Sequence, residues 1–378
     1  ACATIQFSLH HGICHESAVA FAVFGMLKIF DRDYTEGRYW ADVARAIVDK
    51  HKTTNFRPQL LMNLVIDIWF IPPRVIGQKL LHNYENATRK GSIDTAMLSL
   101  QTGWRFKLLG GEHLSLIYKS SHDRLRLLAK HSQWTAKLAL LDCILLMELT
   151  GKSCDCFSFF QGSIKDLNDL RDVAKLSNDL HLLQSSHVFN VFVEYWRGNY
   201  KAAEESSHLA MSLLPASKMP NIYLIYHTFF RGLILFQLYR TCGNEQRLND
   251  GKEMLDKMEE WYLVSSNVFK NKCLLLKAEF LSSIGEFDEA LRMYARSIES
   301  AQCNGNIHEL ALAHELLGKY YLERKCMENS KGCFRNAHVY YTQWGAITVA
   351  EKVLREYKLE LDPQALPLQN KKHARQRD

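Results

Sequence analysis

The chain has little proline and no long uninterrupted apolar run, although 47% of its 378 residues are hydrophobic. Its seven prolines fall between segments of helical periodicity or near the C-terminal end, where they do not interrupt a helix. Strictly alternating runs of valine, isoleucine and threonine are missing, which excludes a sheet-based architecture. The apolar content also excludes general disorder. The sequence therefore predicts an all-α protein.

The best apolar run, from Leu60 to Ile71, contains Asp67 and ends at Pro72. Because a helix needs about 20 apolar residues to cross a bilayer, we expect no membrane span. The net charge is only +6, with 47 basic and 41 acidic residues. Basic residues form no stripe interleaved with aromatic residues, so no nucleic-acid partner is predicted.

The ten cysteines are scattered, several of them within apolar helix faces, where a free thiol behaves as a small hydrophobe. The spacing indicates no disulfide framework and no signal peptide is evident. A reducing, cytoplasmic location is therefore predicted. Residues 359–378 form a polar, basic tail that we expect to be disordered.

A turn followed by small residues recurs about every 40 positions. It is clearest in the segment 285–290, which reads Gly-Glu-Phe-Asp-Glu-Ala, and it returns after Gly198 and, degraded, after Lys325. Such a period predicts stacked helical hairpins. The expected turns are Arg32, Pro72, Gly111, Gly151, Gly198, Gly243, Gly285 and Lys325. We predict an α-solenoid of about eight hairpins over residues 1–358, as one continuous domain with its clearest repeats at 184–345.

Small residues have a defined place in this pattern. Ala278 and Ala290 suit a close crossing of two helices, where a larger side chain would push the axes apart. Phe287 and Tyr294 are expected to fill the groove to the next hairpin. Because the hairpins of a solenoid contact only their neighbours, small rotations should add along the stack.

The last three hairpins resemble tetratricopeptide repeats. The segments 285–290, 306–315 and 337–346, the last ending in Tyr341-x-x-Trp344-Gly345-Ala346, are similar to the helical region of very large signalling proteins. In that family a serine/threonine-kinase-like domain and an AAA/STAND-type ATPase precede the repeats, and a GAF domain and often a histidine kinase follow. The resemblance implies a non-catalytic scaffold with no cofactor, whose partners are protein domains or peptides, including flanking ATPase and kinase domains. The alternative is a free-standing tetratricopeptide-like adaptor.

Motifs for chemistry are incomplete. Gly151-Lys152-Ser153 resembles the end of a phosphate-binding loop, but it lacks the upstream glycine, so a helix cap at Gly151 is favoured. His11, Cys14 and His15 offer a metal-site alternative, with the two histidines on one helix face but no second ligand pair. Glu309 and Glu315, which follow histidines, lack the spacing of a zinc protease and are expected to be solvated positions near a groove.

The remaining candidate site is a surface. In tetratricopeptide repeats the first helix of each pair lines the concave groove, and aromatic anchors beside charged residues suit peptide recognition. The alternative for the aromatic members is packing within the solenoid. The predicted groove residues are Val188, Phe192, Tyr195, Trp196, Glu279, Ser282, Lys319, Leu322 and Glu323.

Overall fold

The computed structural model describes residues 1–51, 56–160, 162–213 and 221–358, so the predicted tail at 359–378 lies outside the described residues. Within these ranges the backbone is helical and has no strand, which confirms the all-α prediction. The π-helical segment Met62–Ile66 and the 3₁₀ segments Asp67–Trp69 and Ser158–Phe160 supplement the α-helices. The α-helices described are α1 (Cys2–His11), α2 (Ser17–Phe30), α3 (Tyr34–His51), α4 (Arg57–Leu61), α5 (Pro73–Arg89), α6 (Ile93–Leu109), α7 (Leu114–His131), α8 (Gln133–Thr150), α9 (Leu167–Leu176), α10 (Leu180–Arg197), α11 (Tyr200–Ser212), α12 (Asn221–Cys242), α13 (Glu245–Val264), α14 (Ser266–Ser283), α15 (Phe287–Cys303), α16 (Ile307–Glu323), α17 (Met327–Trp344) and α18 (Ile347–Glu356).

The helices pack in consecutive pairs, as a solenoid of helical hairpins requires. The closest pairs are α2 with α3, α5 with α6, α10 with α11, α12 with α13, α14 with α15, and α16 with α17. Helix α7 packs on α8 in the same way, and α18 packs on α17. Each pair buries the face that a lone hairpin would expose, and neighbouring pairs close the core between them.

The same hydrogen bond closes several of the turns. In the turn at Gly285 the backbone N–H of Glu286 donates to the carbonyl of Leu281 at 2.9 Å. The bond recurs from Asn199 to Glu194 and from Cys326 to Tyr321, also at 2.9 Å. This six-residue closure requires a left-handed residue in the turn. Gly285 supplies it with a φ of 87°.

The predicted turns lie between helices, but they do not all have the same place in the repeat. The turns at Arg32, Gly198, Gly243, Gly285 and Lys325 join the two helices of one pair. Pro72, Gly111 and Gly151 instead lie between successive pairs, and Gly91 joins α5 to α6. Each repeat has two turns and either one accepts a left-handed glycine, so glycine spacing alone does not distinguish them.

Small residues do mark close helix crossings. Ala278 and Ala290 are completely buried where α14 and α15 pack together. At Gly318 a Cβ atom would come within 2.6 Å of the Phe334 ring, so any larger residue would force that ring to move.

Tyr294 fills the groove to the next hairpin as expected, since it is buried with its ring 5.4 Å from that of Tyr320. Phe287 lies at the edge of that groove, 48% exposed, with the Arg324 guanidinium 3.8 Å from its ring centroid.

The chain also folds back on itself. Trp344 in α17 donates its indole N–H to the carbonyl of Glu112, which lies 232 positions earlier. Tyr226 in α12 donates to the carbonyl of Leu109 at 2.6 Å. Helix α18 packs on α8. The expectation that each hairpin contacts only its neighbours is therefore wrong. The stack of hairpins curves back on itself and brings α12, α17 and α18 against α6–α8.

Candidate protein-binding groove

Four predicted groove residues lie in the interior of the protein. Val188, Phe192, Tyr195 and Trp196 all belong to α10, and all four side chains are buried. The Trp196 ring packs against Tyr341, with centroids 5.7 Å apart, because the curved stack of hairpins places α17 over α10. These side chains contact the molecule's own helices.

Glu279 and Ser282 are also buried, on α14. Arg240 Nη2 lies 2.7 Å from Glu279 Oε2, and the Tyr294 hydroxyl donates to the other carboxylate oxygen. Burial, followed by the neighbouring Glu279 carboxylate, raises the pKa of Tyr294 well above its usual value. The Glu279 carboxylate is thus held in place by partners on α12 and α15.

Glu315 and Lys319 form the second fixed pair, one turn apart on α16. Lys319 Nζ lies 2.8 Å from Glu315 Oε1, and the Tyr341 hydroxyl donates to Oε2 at 2.8 Å. Burial alone would raise the pKa of Glu315, but the positive charges of Lys319 and Lys352 lower it below its usual value. Both residues of the pair are therefore charged at neutral pH.

An open groove of 240 Å³ runs beside these two pairs, and we refer to it as the inner groove. Leu322 is its apolar member and is 38% exposed. Lys319 Nζ reaches the Tyr200 hydroxyl at 3.1 Å, and Lys352 Nζ donates to the Trp196 carbonyl at 2.8 Å. The groove is lined by Gly198, Tyr200, Gln237, Lys319, Leu322, Glu323, Lys352, Glu356 and Tyr357.

The predicted residues Lys319, Leu322 and Glu323 thus come together in the inner groove. Burial raises the pKa of Glu323, although Arg240 Nε lies only 3.4 Å from its Oε1 and opposes that effect. Arg240 therefore connects the buried Glu279 to the groove surface. The arrangement offers two cations, two carboxylates and one apolar contact within a single groove.

Seven residues of this site were not predicted from the sequence: Gly198, Tyr200, Gln237, Arg240, Lys352, Glu356 and Tyr357. Arg240 lies in the last turn of α12, a mostly apolar helix, which was an available signal of a buried ionic partner. The others come from α12, α18 and the chain around Gly198 and Tyr357. Their meeting in one groove depends on how these helices pack together, which the helical pattern does not specify.

The expectation that Glu309 and Glu315 are solvated is wrong, since both carboxylates are buried. Glu309 forms an ion pair with Lys272 of α14, which is itself buried. Lys272 also lies 5.1 Å from the centroid of the Tyr226 ring. Glu309 and Glu315 therefore face neighbouring helices, whereas Glu323 at the end of α16 lines the inner groove.

The other motifs take ordinary structural roles. Gly151 caps α8 with a left-handed φ of 69°, so the cap interpretation is confirmed, and Lys152 lies over the Tyr118 ring. His11 ends α1 and His15 precedes α2, so they do not share a helix face as expected. Gly12, with a φ of 105°, breaks the helix between them.

No group of three or more histidine, cysteine, aspartate or glutamate side chains in the described part of the chain is arranged to hold a metal ion. No helix within the described ranges has both the length and the apolar character needed to cross a bilayer.

No protein-family model and no curated protein matches this sequence. Among solved structures, the chain is similar to the apo form of RapI, with 12% sequence identity and a TM-score of 0.36. The match covers 90% of this chain and 99% of the RapI chain.

Proposed function

We propose that this chain is a non-catalytic helical-repeat scaffold that binds a protein domain or peptide in the inner groove. The observation that carries the proposal is the open groove itself, where exposed Leu322 lies among Lys319, Lys352, Glu323 and Glu356. An apolar anchor surrounded by charges of both signs suits a peptide that presents one apolar side chain between charged ones.

The walls of the groove favour binding because they are already ordered. Lys319 is held by Glu315 and Tyr200, and Lys352 is held by the Trp196 carbonyl. Side chains fixed before binding lose little conformational freedom when a partner arrives, which improves affinity.

The wider setting is part of the same proposal. The resemblance of the segments 285–290, 306–315 and 337–346 supports a place within a larger cytoplasmic signalling protein, beside ATPase and kinase-like domains. In this proposal residues 1–358 form the scaffold domain and 359–378 a polar tail. The alternative is a free-standing adaptor, and the full transcript on both sides of the chain discriminates between the two.

The test of groove binding begins with peptides selected from a random 12-residue display library on the intact chain. Leu322→Ser and Glu356→Lys should each weaken binding of the selected peptides at least tenfold in calorimetry. The matched controls are Leu176→Ser, at an exposed leucine of α9, and Glu351→Lys, at an exposed glutamate of α18. If the variants and their controls lost the same affinity for the selected peptides, binding in the inner groove would be contradicted.

The absence of catalysis is tested separately. Purified chain mixed with ATP and Mg²⁺ should release no phosphate above the buffer rate. Robust hydrolysis that Lys152→Ala abolishes would overturn the non-catalytic assignment.

A further inference from the structure

A second concave site lies among the first helices of the chain. It is a cavity of 490 Å³ between α3, α4, the segment Met62–Ile66 and α5, none of which lines the inner groove. Asp49, Lys79 and His82 line its rim and are exposed, so the cavity opens to solvent there. Its size is within the range of sites that hold small organic molecules.

The ionic groups of this cavity compensate one another. Asp67 is only 3% exposed, and Arg45 donates a hydrogen bond to its Oδ1, while Lys79 Nζ lies 3.7 Å from its Oδ2. Asp49 supplies a second carboxylate, so the described wall carries two cations and two carboxylates. Because these charges cancel, and because a partly apolar wall penalises a further charge, an uncharged ligand fits best.

The floor of the cavity holds a carboxamide without a partner. Asn63 is 6% exposed and lines the cavity, but its side chain makes no hydrogen bond with any described residue. Gln59 Oε1, in the same wall, is fully enclosed, whereas both amide atoms of Asn63 keep accessible surface and face the cavity. Side chains buried to this extent normally have a hydrogen-bond partner, so the unused amide indicates a ligand. The segment Met62–Ile66 that carries it is π-helical, a conformation found often at functional sites.

A second carboxamide faces the same space from α5. Asn83 is 5% exposed and lines the cavity, and its Nδ2 donates to Ser99 Oγ at 2.9 Å. Its Oδ1 accepts from no described residue and is free for a ligand. The cavity therefore offers a donor beside an acceptor on Asn63 and one further acceptor on Asn83.

The space between these polar groups is apolar. Val48 of α3, Phe56 and Met62 line it. A ligand that fits must therefore combine apolar faces with an edge on which a donor lies beside an acceptor. A planar heteroaromatic base has this form, since adenine presents its N6 amino group next to N7, and an asparagine carboxamide pairs with both at once.

We propose that this cavity binds an adenine base, free or as a nucleoside, and that Asn63 pairs with its N6 amino group and N7. The apolar walls cover the faces of the ring, and Asn83 Oδ1 accepts a further N–H or hydroxyl hydrogen. The site goes beyond the scaffold function and is independent of it, because its helices do not line the inner groove.

Two nucleosides of the same shape test the proposal by calorimetry on the intact chain. Adenosine carries the 6-amino group, whereas purine riboside keeps the ring, N7 and the ribose but lacks that group. Wild-type protein should bind adenosine at least tenfold more tightly, because purine riboside leaves Asn63 Oδ1 without a donor. Equal affinity for the two nucleosides, or binding of neither, would overturn the proposal.

Two variants locate the binding. Asn63→Leu keeps the approximate size of the side chain and should abolish the preference for adenosine, whereas the exposed control Asn168→Leu should retain it. Val48→Trp fills the cavity from α3 and should reduce the affinity for adenosine at least tenfold, even if Asn63→Leu does not fold. Circular dichroism reports the folding of each variant. Adenosine binding that is unchanged in folded Asn63→Leu or in folded Val48→Trp would also overturn the proposal.

Discussion

The indole nitrogen of Trp344 lies 3.1 Å from the backbone carbonyl oxygen of Glu112 and donates a hydrogen bond to it. Trp344 also packs on His308, with ring centroids 5.4 Å apart. This contact joins α17 to the turn before α7, and it is one of the contacts that hold α12, α17 and α18 against α6–α8.

Trp344→Phe should therefore lower the free energy of unfolding by about 1–3 kcal/mol, because it leaves the buried Glu112 carbonyl without a donor. Urea denaturation measures the change. Trp134→Phe removes an indole whose hydrogen bond to Asp179 is exposed, and it should cost less than about 1 kcal/mol. Equal costs in the two variants would mean that the closing hydrogen bond contributes nothing specific.

Removal of two buried arginines should change stability by very different amounts. Arg105 is paired with Asp142, so Arg105→Met leaves a buried carboxylate without its cation and should lower stability by about 3–5 kcal/mol. Arg124 stacks over Trp104 at 5.2 Å and lies beside the Cys143 thiol, but among the described residues it pairs with no carboxylate. Arg124→Met should leave stability within about 1 kcal/mol of wild type.

Chemical denaturation of the two variants beside wild type decides this comparison. A loss of several kcal/mol in Arg124→Met would show that its charge has an essential partner.

Gly318 and Gly332 form a matched pair on packed helices. A Cβ at Gly318 would overlap the Phe334 ring, so Gly318→Ala should destabilise the protein by about 1–3 kcal/mol. A Cβ at Gly332 would meet nothing within 4 Å, so Gly332→Ala should stabilise it by about 0.5–1 kcal/mol through helix propensity. Thermal melting of both variants checks the opposite signs, and a shift of the same sign in both would contradict the packing argument.

Stability should fall as the pH drops from 7 to 5. Burial, then the positive charges of Arg231 and Lys257, lowers the pKa of His227 to about 3, and its Nε2 lies 2.9 Å from Ser207 Oγ. An unfolded histidine titrates near pH 6.5, so between these values the unfolded chain binds more protons. His227 alone should therefore cost about 2 kcal/mol at pH 5.

His227→Gln should reduce the difference in unfolding free energy between pH 7 and pH 5 by that amount. The exposed His131→Gln is the control and should retain the wild-type pH dependence. An unchanged dependence in His227→Gln would contradict the assignment.

Periodicity predicted the helices and most of their turns, because the 40-residue repeat reports local geometry. The resemblance to tetratricopeptide repeats placed Lys319, Leu322 and Glu323 on one surface by repeat position, and their spacing of three and four residues keeps them on one face of α16. For the α10 aromatics the sequence left two interpretations open, groove lining and packing within the solenoid, and the structure shows the packing, with α17 covering Trp196. It did not predict the ion pair of Lys272 and Glu309, which spans 37 positions.

Buried ion pairs were missed for a related reason. A helical pattern records which faces are apolar, whereas a charge on a buried face depends on a partner in another helix. Arg105 and Asp142 satisfy each other across α6 and α8, and the apolar run around Asp142 indicates a buried charge without indicating its partner. Their contribution depends on the packing of the two helices, which the pattern does not specify.

The hydrogen bond between Trp344 and Glu112 can form only after the ribosome has added the residues that lie between them. At about 5–20 residues per second, a ribosome needs roughly 10–50 s to add the 232 positions that separate the two residues. The surface of α6–α8 that the late helices cover is therefore uncovered for that time on every nascent chain.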